Sequence, residues 1–289
     1  MDTSLRRLSP LDLVSRWWHR WWPLVTLTVL CILYFWDALY LSAGQVLGGN
    51  DVSNMFLHWT QFAVSSIRKG QFPLWNPYLF SGVPFAANPQ PALFYPPTWL
   101  ALVMPVTRAL ALTAVLHVWL SGVGMYAWLR TEGADASGAL AGALIIAFSG
   151  YFFVRIRSGH VGVISTEAWL PLLLWAYART EKAQSWKAAV ISGMPVGLSI
   201  LAGHTASFVY VGLGLLAYVV YRACARWRTE RSWQAAALPF VWLAIMGAAG
   251  IALAAVQLLP LAQFAWQSTR QVGQSLEFVG RQLRSVTIA

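Results

Sequence analysis

Long apolar runs separated by short clusters of basic residues dominate the chain. A helix needs about 20 mainly apolar residues to cross a bilayer, and proline is tolerated in such a helix when neighbours satisfy the freed carbonyls. The predicted fold is an all-α polytopic membrane protein with about seven transmembrane helices. The runs that predict these helices are residues 23–43, 105–129, 137–154, 164–178, 187–203, 205–221 and 235–259.

The basic residues predict the orientation of these helices, because lysine and arginine are enriched in cytoplasmic loops. With a cytoplasmic N-terminus, twelve of the 20 lysines and arginines fall on the cytoplasmic side. Residues 1–22 form a basic, tryptophan-rich segment with no early apolar core, which predicts an interfacial segment and no cleavable signal peptide. Residues 260–289 are then expected to form an extracytoplasmic tail.

Residues 44–104 form a long extracytoplasmic loop between the first two predicted helices. From Val52 to Ile67 the apolar residues follow helical spacing, which predicts an amphipathic helix lying in the outer membrane interface with its apolar face towards lipid. Seven of the 14 prolines lie between Pro73 and Pro97. The aromatic residues among them argue against disorder.

Composition limits the class of function. Hydrophobic residues make up 58% of the chain and charged residues 10%, whereas a soluble domain carries roughly 25% charged residues. The net charge of +10 does not indicate a nucleic-acid partner, since the basic residues form no continuous stripe. Cys31 and Cys224 lack the spacing of a metal site, and no nucleotide-binding or nucleophile-elbow motif is present. We expect the lipid bilayer as the main partner, other membrane proteins as further candidates, and a bacterial cytoplasmic membrane as the location.

Asp51 immediately precedes the predicted amphipathic helix. An aspartate in this place is most often an N-cap. It is also a carboxylate at the boundary between water and membrane, where it can accept a proton from a hydroxyl group or bind a divalent cation. A capping carboxylate can keep one oxygen free, so both interpretations stay open.

Arg155, Arg157 and His160 form a cationic cluster near the outer end of the third predicted helix. Long cationic side chains at a helix end often only extend towards the interface. Guanidinium groups also bind phosphate with two hydrogen bonds, and an imidazole adds a further donor. At this depth the phosphate would belong to a lipid, such as a polyprenyl phosphate or pyrophosphate.

Further polar residues lie near the outer ends of the predicted helices. A lone histidine such as His204 is more often structural, but ionisable groups at membrane depth are functional candidates. Glu167 is a similar candidate or an ion-pair partner of Arg155 or Arg157. Gln257 either binds a sugar or, more commonly, forms an interhelical hydrogen bond.

Several of these segments resemble one family. Residues 70–97, with the sequence GQFPLWNPYLFSGVPFAANPQPALFYPP, resemble the first outer loop of YfhO-like bacterial membrane proteins, which are grouped with glycosyltransferases of the GT-C fold. The likeness extends to residues 49–51, 147–151, 201–204 and 255–260. The proline-rich run is quite specific, and the other segments are short.

The resemblance implies a GT-C-like architecture and transfer of a sugar from a polyprenyl-phosphate carrier to an extracytoplasmic acceptor. Asp51 matches the acidic residue of the first outer loop that is the usual catalytic candidate in that fold. The cluster of Arg155, Arg157 and His160 would then bind the donor phosphate. We expect substrate contacts, or else only membrane packing, from the loop residues Trp75, Asn76 and Asn88, with His204, Glu167 and Gln257 as further substrate-binding candidates.

The resemblance leaves other functions open, because members of the family usually run to more than twice this length. The chain is then a fragment, the product of a split gene, or a reduced relative. A truncated scaffold that serves as a non-enzymatic subunit of a larger complex is one alternative to a transferase. A lipid or solute transporter is another, although no inverted repeat of broken helices is evident.

Overall fold

The computed structural model describes residues 10–42 and 45–267, with the backbone alone for residues 10–20. Two strands, β1 (Trp75–Asn76) and β2 (Val83–Pro84), pair antiparallel within the long loop. A π-helical turn (Val52–Phe56) leads into α3, and a 3-10 helix (Pro96–Leu102) ends the loop. The α-helices are α1 (Pro10–Tyr34), α2 (Trp36–Leu39), α3 (Leu57–Arg68), α4 (Val106–Thr131), α5 (Ala136–Ala147), α6 (Gly150–Ser158), α7 (Val161–Glu167), α8 (Leu170–Ala183), α9 (Trp186–Leu201), α10 (Thr205–Glu230) and α11 (Trp233–Trp266).

The described residues confirm a helical membrane protein. Five helical segments are long and apolar enough to cross a membrane. Trp21–Tyr34 and Trp186–Leu201 are shorter apolar helices at the first and fifth predicted spans. The total of seven spans and the GT-C-like architecture stay predictions. The five long segments are Val106–Thr131, Ala136–Ser158, Val161–Ala183, Thr205–Glu230 and Trp233–Trp266.

The third and fourth predicted spans are not continuous helices, which corrects their predicted bounds. The third consists of α5 and α6, and the fourth of α7 and α8. Gly159 ends α6 with φ at 83°, in the left-handed region that glycine adopts most easily. Pro171 stands in the first turn of α8, where its missing N–H costs nothing.

The bundle has two chemically different ends. At the basic end, Glu181 is buried, its Oε1 accepts a hydrogen bond from Arg226 Nε at 3.0 Å, and Arg222 Nε lies 2.8 Å from its Oε2. Arg222 also pairs with Glu132 at 3.1 Å, which joins α4, α8 and α10. The opposite end, here called the loop end, carries the long loop, the turn between α6 and α7, and the turn between α9 and α10.

Buried hydrogen bonds fasten the long loop to the bundle. The buried amide of Gln257 in α11 donates to the carbonyl oxygens of Ala86 at 3.1 Å and Ala87 at 3.4 Å. Trp169 Nε1 donates to the Tyr95 hydroxyl at 2.9 Å, and that hydroxyl lies 2.5 Å from Nε2 of the buried His117. The loop is therefore a packed part of the protein.

The predicted amphipathic helix is present as the π-helical turn and α3, but its apolar face has a different partner. Ala63 packs with Phe85 and Leu93 of the loop, and Val64 packs with Ala109 of α4. The prediction that this face lies towards lipid is wrong for these residues, because the loop folds back and covers them.

Candidate functional site

A cavity of about 520 Å³ opens at the loop end of the bundle. Its walls come from the π-helical turn and Asp51 before it, from α6, α7, the start of α8 and α10, and from the long loop. Part of the wall is apolar, with Met55, Phe56, Leu170 and Val211. The polar lining consists of Asp51, Gln90, Tyr151, Arg155, His160, Glu167, His204 and Ser207.

Asp51, His160 and Arg155 form a chain of contacts along one wall. Arg155 Nη1 lies 3.2 Å from His160 Nδ1, and a guanidinium group can only donate. The ring proton of neutral His160 is therefore on Nε2, which lies 3.4 Å from Asp51 Oδ2. The carboxylate of Asp51 is 44% exposed, so it keeps acceptor capacity for a ligand.

A second network of hydrogen bonds lines the same cavity. The Glu167 carboxylate accepts hydrogen bonds from the hydroxyl of Tyr151 and, at 2.6 Å, from that of Ser207. The Ser207 backbone N–H donates to His204 Nδ1 at 3.1 Å, so this imidazole caps α10. Burial lowers the pKa of His204 below its ordinary value of 6.5, as do His160 and Arg155, while Glu167 opposes the shift.

Tyr151 connects the two networks. Its hydroxyl donates to Glu167, and the guanidinium carbon of Arg155 lies 5.0 Å from the centre of its ring. The prediction that Glu167 pairs with Arg155 or Arg157 is wrong, since the two hydroxyl groups occupy the carboxylate instead. Arg155 is thus held between an imidazole and an aromatic ring.

Glycines bring Asp51 close to His160. A Cβ on Gly49 would lie 2.7 Å from the carbonyl oxygen of Arg157, and one on Gly48 would lie 2.6 Å from that of Ile156. A Cβ on Gly159 would lie 2.9 Å from the backbone nitrogen of Val52. The backbone before Asp51 therefore packs directly on the last turn of α6 and on Gly159 after it.

The cap interpretation of Asp51 is wrong. Asp51 has helical backbone angles, and its side chain makes no capping hydrogen bond. The reason is local: the helical conformation begins at Asn50, so Asp51 is already inside the first turn. Its carboxylate points instead to His160.

Five other predicted site residues do not line the cavity. Arg157 is exposed, and Gln257 is buried against the loop. Asn76 and Asn88 hold turns, because their Oδ1 atoms accept the backbone N–H of Tyr78 at 2.9 Å and of Gln90 at 3.1 Å. Trp75 is 55% exposed, and a Cβ on Gly82 would lie 2.5 Å from its indole ring.

Sequence reasoning missed Tyr151, Ser207 and Gln90. Two of them carried a usable signal. Tyr151 stands four residues before Arg155, the spacing that places two side chains together on a helix. Ser207 stands three residues after His204, the spacing between an N-cap and the N–H that it caps.

The described residues contain no group of three or more His, Cys, Asp or Glu side chains that could hold a metal ion. Asp51 and His160 supply two ligands of the kinds that divalent cations accept. A cation here would need further oxygen atoms from a substrate.

No family model, no curated protein and no solved structure matches this chain.

Proposed function

We propose that this protein is a membrane-embedded glycosyltransferase that moves a sugar from a polyprenyl-phosphate carrier to an acceptor at the loop end. The observation that carries the proposal is the cavity, in which a half-exposed carboxylate, a guanidinium group and an imidazole lie side by side. Together they offer a base and a phosphate-binding group. The likeness of the proline-rich loop to YfhO-like proteins supports the same activity.

Asp51 serves as the base in this proposal. An oxygen of the acceptor attacks the anomeric carbon, and the bond between that carbon and the phosphate oxygen breaks, leaving its electron pair on the phosphate. The acceptor's hydroxyl proton passes to the Asp51 carboxylate and then to water. His160 holds the Asp51 carboxylate from one side through Nε2, and the exposed side of that carboxylate faces the substrate.

Arg155 stabilises the departing phosphate. Negative charge grows on the phosphate oxygens as the bond to the sugar breaks, and fixed cationic donors are most effective where charge develops. The contacts with His160 and Tyr151 leave other guanidinium N–H groups free to bind oxygen. The apolar wall formed by Phe56, Leu170 and Val211 suits the first isoprene units of the carrier.

The basic end indicates the orientation that goes with this activity. Arg130, Lys182, Arg222, Arg226 and Arg228 lie at that end, and basic residues favour the cytoplasmic side. We infer that the cavity opens on the extracytoplasmic face of a bacterial cytoplasmic membrane, where lipid-linked sugars are presented to acceptors outside the cell.

The test is transfer from radiolabelled polyprenyl-phosphate sugars in membrane vesicles that contain the full chain. Asp51→Asn removes the base and should lower the rate by about 10²–10⁴-fold with an unchanged melting temperature. Asp135→Asn is the matched control, since Asp135 only caps α5 and asparagine caps equally well. Full transfer by a folded Asp51→Asn variant would overturn the assignment of Asp51, and absence of transfer by the wild type with every donor would overturn the proposed function.

A further inference from the structure

A second, apolar concavity of about 600 Å³ lies between α10 and α11 at the basic end. Val220 and Phe240 line it and are 43% and 41% exposed. The rings of Trp227 and Trp233 border it with centroids 4.3 Å apart. The groove lies along the basic end of α10, whereas Ser207 and Val211 at the loop end of the same helix line the cavity of the proposed transferase site.

Two arginines beside the groove differ from their neighbours in having no acidic partner among the described residues. Arg222 and Arg226 are held by Glu181, Glu132 and Glu230. Arg228 lines the groove and Arg231 follows in the turn that leads to Trp233; both are exposed. The groove thus combines an apolar channel with two unneutralised positive charges at one end.

We propose that this groove binds an anionic phospholipid, with an acyl chain along Val220, Ala237 and Phe240 and the headgroup phosphate on Arg228 and Arg231. Basic pockets between transmembrane helices are suited to anionic headgroups. Tryptophan is enriched at the level of the headgroups, and the pair of Trp227 and Trp233 marks that level at the mouth of the groove. Charge complementarity selects a lipid with net negative charge over a zwitterionic one. The proposal does not depend on the transferase activity.

The experiment is native mass spectrometry of the full chain, released from detergent after titration with dioleoyl phosphatidylglycerol or dioleoyl phosphatidylcholine. Wild type should retain one phosphatidylglycerol at concentrations where phosphatidylcholine does not bind. Replacing each arginine, Arg228→Gln or Arg231→Gln, should weaken that binding about fivefold, the effect of one basic side chain near an anionic membrane surface.

Two further variants separate this site from general attraction to charge. Ala237→Trp fills the groove from an exposed position and should abolish binding of the phosphatidylglycerol without unfolding the protein. Arg130→Gln makes the same change in net charge at a residue whose guanidinium donates to the carbonyl of Ala134, and it should leave binding unchanged. Equal loss in Arg130→Gln, retention of lipid by Ala237→Trp, or equal binding of both lipids would overturn the proposal. The proposal would also be overturned if the protein were a dimer that binds neither lipid and that Ala237→Trp dissociates, since a second copy would then occupy the groove.

Discussion

The contact between Gly49 and the last turn of α6 sets the position of Asp51, and Gly49→Ala tests this. The added Cβ would lie 2.7 Å from the Arg157 carbonyl oxygen, whereas real Cβ atoms essentially never come closer than 3.0 Å and ordinary contact begins at 3.4 Å. The two backbone segments must therefore separate by 0.3 Å at least and by 0.7 Å for ordinary contact. Gly49 does not have a positive φ, so the effect is steric.

The expected cost follows from this overlap. Forcing an extra carbon into a packed interior destabilises a protein by about 1–3 kcal/mol, which lowers the melting temperature by roughly 2–5 °C for a chain of this size. Asp51 lies two residues further on, so the contact of 3.4 Å between its Oδ2 and His160 Nε2 lengthens with the same movement. Misplacement of a catalytic group by about 1 Å can cost 10²-fold in rate, and we expect transferase activity to fall by more than the stability loss alone explains.

The assay is thermal unfolding of detergent-solubilised protein, together with sugar transfer measured well below the melting temperature. Gly150→Ala is the matched control, because a Cβ at Gly150 meets no atom within 4 Å and alanine favours a helix. Gly49→Ala protein that melts with the wild type and keeps full activity would refute the view that this packing positions Asp51.

Two further predictions concern the loop anchor and the imidazole at α10. Gln257→Met leaves two buried carbonyl oxygens without their donor and should destabilise the protein by about 1–3 kcal/mol. Gln263→Met, at an exposed position of the same helix, should not change the melting temperature. Equal melting temperatures of the two variants would contradict the view that Gln257 anchors the long loop. Because the folded protein holds the pKa of His204 below its ordinary value of 6.5, the contribution of His204 to stability is fully present above that pH and is lost as the pH drops towards the folded pKa. His204→Asn, which keeps a cap, should show a smaller loss of melting temperature between about pH 7.5 and 5.5 than the wild type; an identical loss would exclude His204 as the cause.

Hydropathy and composition were sufficient to predict a helical membrane protein and an ordered long loop. They missed the breaks within two spans, because a hydropathy window averages over the short turns at residues 148–149 and 168–169. The partner of the α3 apolar face was also beyond the sequence pattern, since helical spacing identifies a buried face without saying what covers it.

The candidate site was predictable in part. Asp51, His160 and Arg155 stood out as ionisable groups at membrane depth, and the structure brings them together. Their proximity depends on the fit of the backbone at Gly49 against a carbonyl more than 100 residues away along the chain, which no local pattern encodes. Asn76 and Asn88, which hold turns and do not line the cavity, show another limit, because an asparagine that holds a turn and one that binds a sugar have the same sequence signal.

The anchoring of the long loop has a consequence for biogenesis. The loop leaves the ribosome before the residues that hold it. Tyr95 can contact His117 of α4 first and Trp169 next. The carbonyl oxygens of Ala86 and Ala87 can form their hydrogen bonds only after Gln257 of α11 has been made. These two carbonyls therefore stay without their final donor until the last described helix has been inserted. The loop wall of the cavity is thus completed only after α11 has been made, and an insertion intermediate that lacks α11 should expose the proline-rich segment to proteases.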